Sequence, residues 1–255
     1  MSTFVSLRFD QFAYFDTVLD HPDWSGKRVL DYGGNVGNML VDPDCAIEPA
    51  NYWSLDVSWD AIAEGRRRHP DAHFVFYDRH SCQYNPSGAP GLPVPDMATT
   101  FDVIVSLSVI THMSQTQALE VVRDLRGHLA PGGVMAMTFM DPNWVPPAGW
   151  VRPNYGPGLS NLRWRLDKAR ANDPTVDVEA VARRVEADSD RISWVVLLND
   201  AELILDHDDA TRAENQPHES YMGFCTPAHM RTLLSHALIR PPDPPERYHC
   251  AIING

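Results

Sequence analysis

The chain has 255 residues, 44% of them hydrophobic, which suits one α/β domain with a sizeable core and an inserted lid. Its formal charge of −13 argues against a polyanionic partner, because counterion release from nucleic acid needs a basic surface. No stretch approaches the roughly 20 apolar residues that span a bilayer, and "MSTFVSLRFDQFAYFD" has no basic segment leading into an apolar core, so a soluble, cytosolic protein without a membrane partner is expected.

From about residue 26 to 140, short apolar runs alternate with helical segments. "KRVLDYG", "NYWSLDV", "AHFVFYD", "FDVIVSLS" and "GGVMAMTF" read as buried strands. "VSWDAIAEGRRRH" and "SQTQALEVVRDLRGHLA" carry apolar residues at helical spacing, the second opening on a serine cap signal. A helix is also expected directly after the turn in "RVLDYGGNVGNML". Strands separated by helices imply a parallel sheet of the doubly wound class.

After Phe139 the pattern changes to "MDPNWVPPAGWVRPNYGPGLS", then two charged helices, "NLRWRLDKARA" and "VEAVARRVEAD". "ISWVVLLNDAELILD" reads as a hairpin around Asn199 and Asp200. The end of the chain predicts a helix with Pro227 at its first position, then two strands joined by a proline-rich link. The expected organisation is a core over 1–140, an insertion covering the site over 141–220, and a completing helix and strand pair over 221–255. Cys45, Cys82, Cys225 and Cys250 lie far apart without CxxC or Cys/His ligand spacing, so they read as reduced and structural, and no metal is expected.

The chemistry concentrates in the first turn. In open α/β sheets ligands bind beyond the carboxyl ends of the strands, where glycine lets the backbone come close. A dinucleotide fingerprint counted from Gly33 would need glycine at Asn35 and Asn38, which weakens a dehydrogenase reading. Asp31 precedes the turn, where a carboxylate would repel a pyrophosphate but suit a ligand bearing ammonium or sulfonium charge. The run Asp31-Tyr32-Gly33-Gly34-Asn35-Val36-Gly37 resembles the first motif of the class I S-adenosylmethionine-dependent methyltransferases, with Asn35 replacing the middle glycine. Asparagine tolerates positive φ better than other non-glycine residues, so the bend survives.

That resemblance implies a Rossmann-like sheet, mostly parallel with an antiparallel terminal strand, and S-adenosylmethionine as cofactor. It assigns cofactor contacts to Asp31, Gly33, Gly34, Asn35 and Gly37, and to Asp56, about 25 residues on, as acceptor from the ribose hydroxyls. A two-oxygen carboxylate suits a vicinal diol. Asp78 and Arg79 after the third strand match the adenine region, and Ser106 closes the fourth strand within the matching stretch "FDVIVSLSVITHM". Tyr14, with Phe15, lies where related enzymes fold a helix over the cofactor; a cation–π contact and plain core packing are both open.

Two histidines are candidate bases. His112 follows the fourth strand, and its imidazole titrates near neutrality; it can equally pack or cap the next helix. His218, with Glu219 and Tyr221 in "QPHESYMGF", is the alternative, or else a hydrogen-bonded hinge. Trp144, Trp150 and Tyr155 are candidates for an acceptor pocket or for fastening the insertion. Arg163, Arg165, Lys168 and Arg170 suit an acceptor carboxylate or a solvated helix face. The implied activity is in-line methyl transfer, with O-methylation of a small metabolite or short modified peptide expected ahead of N-methylation. A related fold that binds the cofactor without transferring methyl, as a cyclase or binding module, is the rival.

Overall fold

The computed structural model describes residues 10–145, 160–187, 194–199, 202–242 and 248–255. Helix α1 (Gln11–Val18) precedes β1 (Val29–Tyr32), which leads through the glycine turn to β2 (Tyr52–Asp56). Then follow α2 (Trp59–Arg68), β3 (His73–Phe76), β4 (Phe101–Ser106), α3 (Gln115–Arg126) and β5 (Leu129–Phe139). Beyond these come α4 (Asn161–Asn172), α5 (Val178–Ala187), β6 (Trp194–Leu198), β7 (Glu202–Ile204), α6 (His207–Glu214) and β8 (Tyr221–Cys225). Helix α7 (Pro227–Leu233), β9 (Leu238–Arg240) and β10 (His249–Asn254) close the chain.

Seven strands form one sheet in the order β3-β2-β1-β4-β5-β10-β9. Strands β1 to β5 pair in parallel, whereas β10 runs antiparallel to both neighbours. Both faces are covered, so strand residues are apolar in unbroken runs rather than in alternation. Val29 packs with Tyr52, Ile62 and Val103 on one face, and Leu30 with Leu55, Ile104 and Val121 on the other. Serine and threonine begin helices as their sequence positions predict. Ser58, Ser114, Ser160 and Thr226 each accept a backbone N–H three residues on, relieving the unpaired donors of the first turn.

One expected element is absent. After the glycine turn only a single 3-10 turn forms, Asn38–Val41, in place of an α-helix. Pro43 has no N–H to donate, and it forces Asp42 into extended backbone (φ −66°, ψ 126°), which ends the winding. Asp42 is then free to accept from Ala13 N at 3.1 Å, tying α1 to this turn.

A second, three-stranded antiparallel sheet has the order β7-β6-β8. Its hairpin turns at Asn199, which adopts φ 49°, while Asp200 lies outside the described residues. The strand pairing therefore crosses residue 220: β8 belongs with β6 and packs on the turn after β4. Among the described residues no helix is long and apolar enough to cross a membrane.

Helix α2 meets the sheet through Gly65, where an added Cβ would stand 2.2 Å from the Phe74 ring. Gly65→Ala is expected to destabilise by about 1–2 kcal/mol, because overpacking outweighs the helix propensity gained. Chemical denaturation measures it, and an unchanged midpoint would mean that Phe74 moves aside freely.

Candidate active site

A cavity of about 370 Å³ lies along the carboxyl ends of β1, β2, β3 and β4, within the roughly 300–1,000 Å³ range of ligand pockets. The turn after β1 forms its floor. Gly33 (φ 77°) donates its N–H to Leu55 O at 2.7 Å, and Asn35 takes φ 52°, the left-handed backbone its side chain tolerates. Gly33 and Asn35 line the cavity. Gly34 and Gly37 stand outside the lining: a Cβ on Gly34 would approach Ser54 Oγ to 2.7 Å, and one on Gly37 would approach Phe74 to 3.0 Å.

Asp56 ends β2 in the cavity wall. Its carboxylate accepts from Asn35 N at 2.9 Å and Ser58 N at 2.8 Å, so one side chain joins the glycine turn to the start of α2. Burial raises its pKa above the ordinary carboxylate range, and these backbone donors oppose that rise.

Asp31 is fully buried and does not line the cavity. Tyr52 Oη donates to it at 2.7 Å and Gln11 Nε2 at 3.2 Å. Burial pushes its carboxyl up to about 7, against the lowering effect of the Tyr52 hydrogen bond. Gln11, on α1, does line the cavity. Tyr14 of the same helix packs in the core, its hydroxyl 3.5 Å from Tyr248 O, and is absent from the lining, as is the buried Phe15.

At the β3 end, Asp78 is exposed, accepts from Asn85 Nδ2 at 3.0 Å and stays out of the lining. Arg79 lines the wall while its guanidinium turns to Leu92 O and Glu120, each at 2.7 Å. Ser106 is buried within β4 and outside the lining. Leu107, Ser108 and Val109 line it instead. Ser108 has φ 60° and donates its N–H to Thr138 Oγ1 at 2.7 Å, a left-handed non-glycine conformation of the kind that clusters at functional sites.

His112 closes the 3-10 turn Ile110–His112 and lines the cavity. Its Nδ1 lies 3.0 Å from Tyr221 O; a carbonyl only accepts, so Nδ1 carries the hydrogen. Nε2 is thereby the acceptor, 3.4 Å from the Tyr84 hydroxyl. His218 belongs elsewhere: its Nε2 contacts Ala213 O at 2.9 Å, and it lines a separate groove with Asp206, Asp209 and Arg212. The two candidate bases are not brought together. Glu219 is exposed, with its backbone N on Asn199 Oδ1.

Trp144 is half-buried outside the lining; Trp150 and Tyr155 lie outside the described residues. On α4, Arg163 pairs with Glu179, Arg170 with Asp167, and Arg165 stands 5.0 Å over the Trp164 ring. Among the described residues no three His, Cys, Asp or Glu side chains converge as a metal site. Gln11, Asn38, Tyr77, Tyr84 and Gln117 also line the cavity and escaped the sequence reading. Gln11 had one available signal, since it stands one helical turn before Tyr14; Gln117 lies in the first turn of α3, and Asn38, Tyr77 and Tyr84 sit in turns and loops whose paths no periodicity reveals.

The family described as "Methyltransferase domain" matches residues 30–135. The demethylmenaquinone methyltransferase of Beutenbergia cavernae is 30% identical over 152 residues, which take in 58% of this chain and 54% of that protein. The chain thus spans about half the length of this curated relative. Two solved structures share the fold. CalS10, an amino pentose methyltransferase from Micromonospora echinaspora, has a TM-score of 0.52 at 14% identity, covering 96% of this chain and 90% of that one. The glycopeptide N-methyltransferase MtfA, complexed with sinefungin, has a TM-score of 0.53 at 12% identity, covering 98% and 94%. Residues 30–135 thus match a methyltransferase domain, and the motif order and sheet topology around them resemble those of the class I S-adenosylmethionine-dependent methyltransferases.

Proposed function

We propose that the protein O-methylates a small molecule or short modified peptide, using S-adenosylmethionine held in the cavity beyond β1 to β4. The observation that carries this reading is the cavity itself, with a carboxylate at the end of β2 and an imidazole acceptor after β4. The cavity fits a polar ligand: Asn38 Oδ1 is buried in its wall without a hydrogen-bond partner among the described residues, a cost that a bound donor removes. When bound, the cofactor supplies an electrophilic methyl on sulfonium sulfur.

The chain's own residues do the rest. Asp56 has two oxygens for a vicinal diol, and the turn it accepts from is braced at the same time. His112 takes the hydrogen from an acceptor hydroxyl at Nε2, while Tyr221 O holds the ring through Nδ1. The acceptor is oriented and water excluded by the insertion expected over 141–220; among its described residues none lines the cavity, and Tyr221 O of β8 is what reaches His112. The acidic net charge favours small or cationic acceptors over nucleic acid. An amine would use the same base, and the N-methyltransferase named among the structural neighbours makes N-methylation the second reading.

Calorimetric titration with S-adenosylhomocysteine tests the cofactor site, with NAD as the control. Asp56→Ala is expected to weaken binding by about 2 kcal/mol, roughly thirtyfold, through loss of charge-assisted hydrogen bonds. Unchanged affinity would remove Asp56 from the ribose. Methyl-labelled cofactor offered with hydroxyl and amine acceptors then separates the two readings by the labelled product, and absence of label in every product would favour a protein that binds without transfer.

A further inference from the structure

Strand β10 runs antiparallel to β5, so its first residues stand at the carboxyl ends of β4 and β5, beside the cavity. His249 pairs with Phe139, the last residue of β5, and Tyr248 comes just before it. Tyr248 is 3% exposed and belongs to the core cluster that holds Tyr14, Leu107 and Leu162. Its hydroxyl lies 2.9 Å from Ser108 Oγ. Ser108 lines the cavity and holds φ 60°. The direction of each hydrogen bond here follows from the hydrogens available. The Thr111 hydroxyl donates its one hydrogen to Ser108 O at 3.0 Å. In the 3.3 Å contact between Ser108 Oγ and Thr111 Oγ1, Ser108 is therefore the donor. With its hydrogen so used, Ser108 Oγ accepts from Tyr248. The relay runs from Tyr248 through Ser108 to Thr111, inside the turn Ile110–His112.

Together with the bond from Ser108 N to Thr138 Oγ1 at 2.7 Å, this relay holds a serine in left-handed backbone that its own side chain disfavours. The His112 turn is thereby clamped from two sides, by Tyr221 O at Nδ1 and by the relay at Thr111. We infer that Tyr248 is a positioning residue for methyl transfer, whose hydroxyl acts through Ser108 and Thr111 to hold His112 with its hydrogen on Nδ1 and its acceptor Nε2 in the cavity wall. Which ring nitrogen carries the hydrogen depends on the partner of the other. A turn that drifts from Tyr221 O lets the hydrogen move to Nε2, and the acceptor is lost. The inference rests on the methyltransferase reading with His112 as its base.

The test uses NMR of the full chain labelled with nitrogen-15 at histidine, at about pH 8.5, above the ordinary imidazole range, with the His112 signals assigned by His112→Asn. The wild type is expected to show one tautomer, with hydrogen on Nδ1. Tyr248→Phe keeps the ring in the core and removes only the hydroxyl. Ser108→Gly removes the other hydroxyl and supplies a residue that takes φ 60° freely. Each is expected to give a mixture of tautomers, and the double variant the same mixture, because members of one relay do not act additively. Thr111→Ser keeps its hydroxyl and is expected to match the wild type. Calorimetric affinity for S-adenosylhomocysteine, the homocysteine ligand, is expected to stay within about twofold throughout. A single tautomer retained in both Tyr248→Phe and Ser108→Gly would overturn the inference by making the relay a brace for the backbone alone, and so would shifts that add in the double variant. A wild type with hydrogen on Nε2 that still binds the homocysteine ligand would overturn it while sparing the cofactor site. A folded wild type that does not bind that ligand would overturn the methyltransferase reading, and the inference with it.

Discussion

His112→Asn is expected to lower kcat by about 100-fold or more, the scale of a lost general base. Asparagine keeps a donor near Tyr221 O, the partner of Nδ1 at 3.0 Å, so the turn Ile110–His112 stays tied to β8. What disappears is the acceptor Nε2 in the cavity wall. Homocysteine-ligand affinity is expected to change far less than kcat, because the base acts on the acceptor. The pH profile is the sharper measurement: the wild type loses kcat/KM on the acid side as the imidazole takes up a proton, and the variant does not. If the acid limb persists in the variant, His112 is only a brace between the turn and the second sheet. Tyr84→Phe is the companion control, since its hydroxyl lies 3.4 Å from Nε2 and tunes the base without replacing it.

The second large effect concerns stability. Burial holds the Asp31 carboxyl at about 7, where the ordinary value is 3.8. Because the folded value lies above the unfolded one, the contribution to stability is fully present below about pH 3.8. It is lost as pH rises through about 7. The difference corresponds to roughly 4 kcal/mol at most, spread over about pH 4 to 7. Asp56, Asp141 and Glu214 are raised by burial as well and add slopes of the same sign. Denaturant midpoints at about pH 5 and pH 7.5 measure the slope, and Asp31→Asn is expected to flatten a large part of it. An equal slope in the variant would place the pH dependence on the other buried acids.

The sheet was readable because its cause is local. Strands buried on both faces leave unbroken apolar runs, and helices leave caps and periodic stripes, so each element advertises itself within a few residues. Asn35 was readable for a similar reason: its left-handed backbone follows from what its own side chain tolerates. The missing helix after the glycine turn was also local in cause. Pro43 was in plain view, and its effect on Asp42 outweighed the expectation drawn from the usual strand, turn and helix order.

The site is different, because its residues come from distant parts of the chain. Asp31 sits on a motif that advertises ligand contact, yet Tyr52 and Gln11 close over it, 21 and 20 residues away. His112 and His218 are equal candidates in sequence; the tautomer of one is set by Tyr221 O, 109 residues on, and the other turns to Ala213 in a separate groove. The amino-acid order alone determined the fold class, the family motif and the positions of the strand ends, since these follow from short-range sterics and burial patterning. Which side chains face the cavity was decided only by tertiary packing, because a hydrogen bond across the fold depends on backbone paths that no local pattern records.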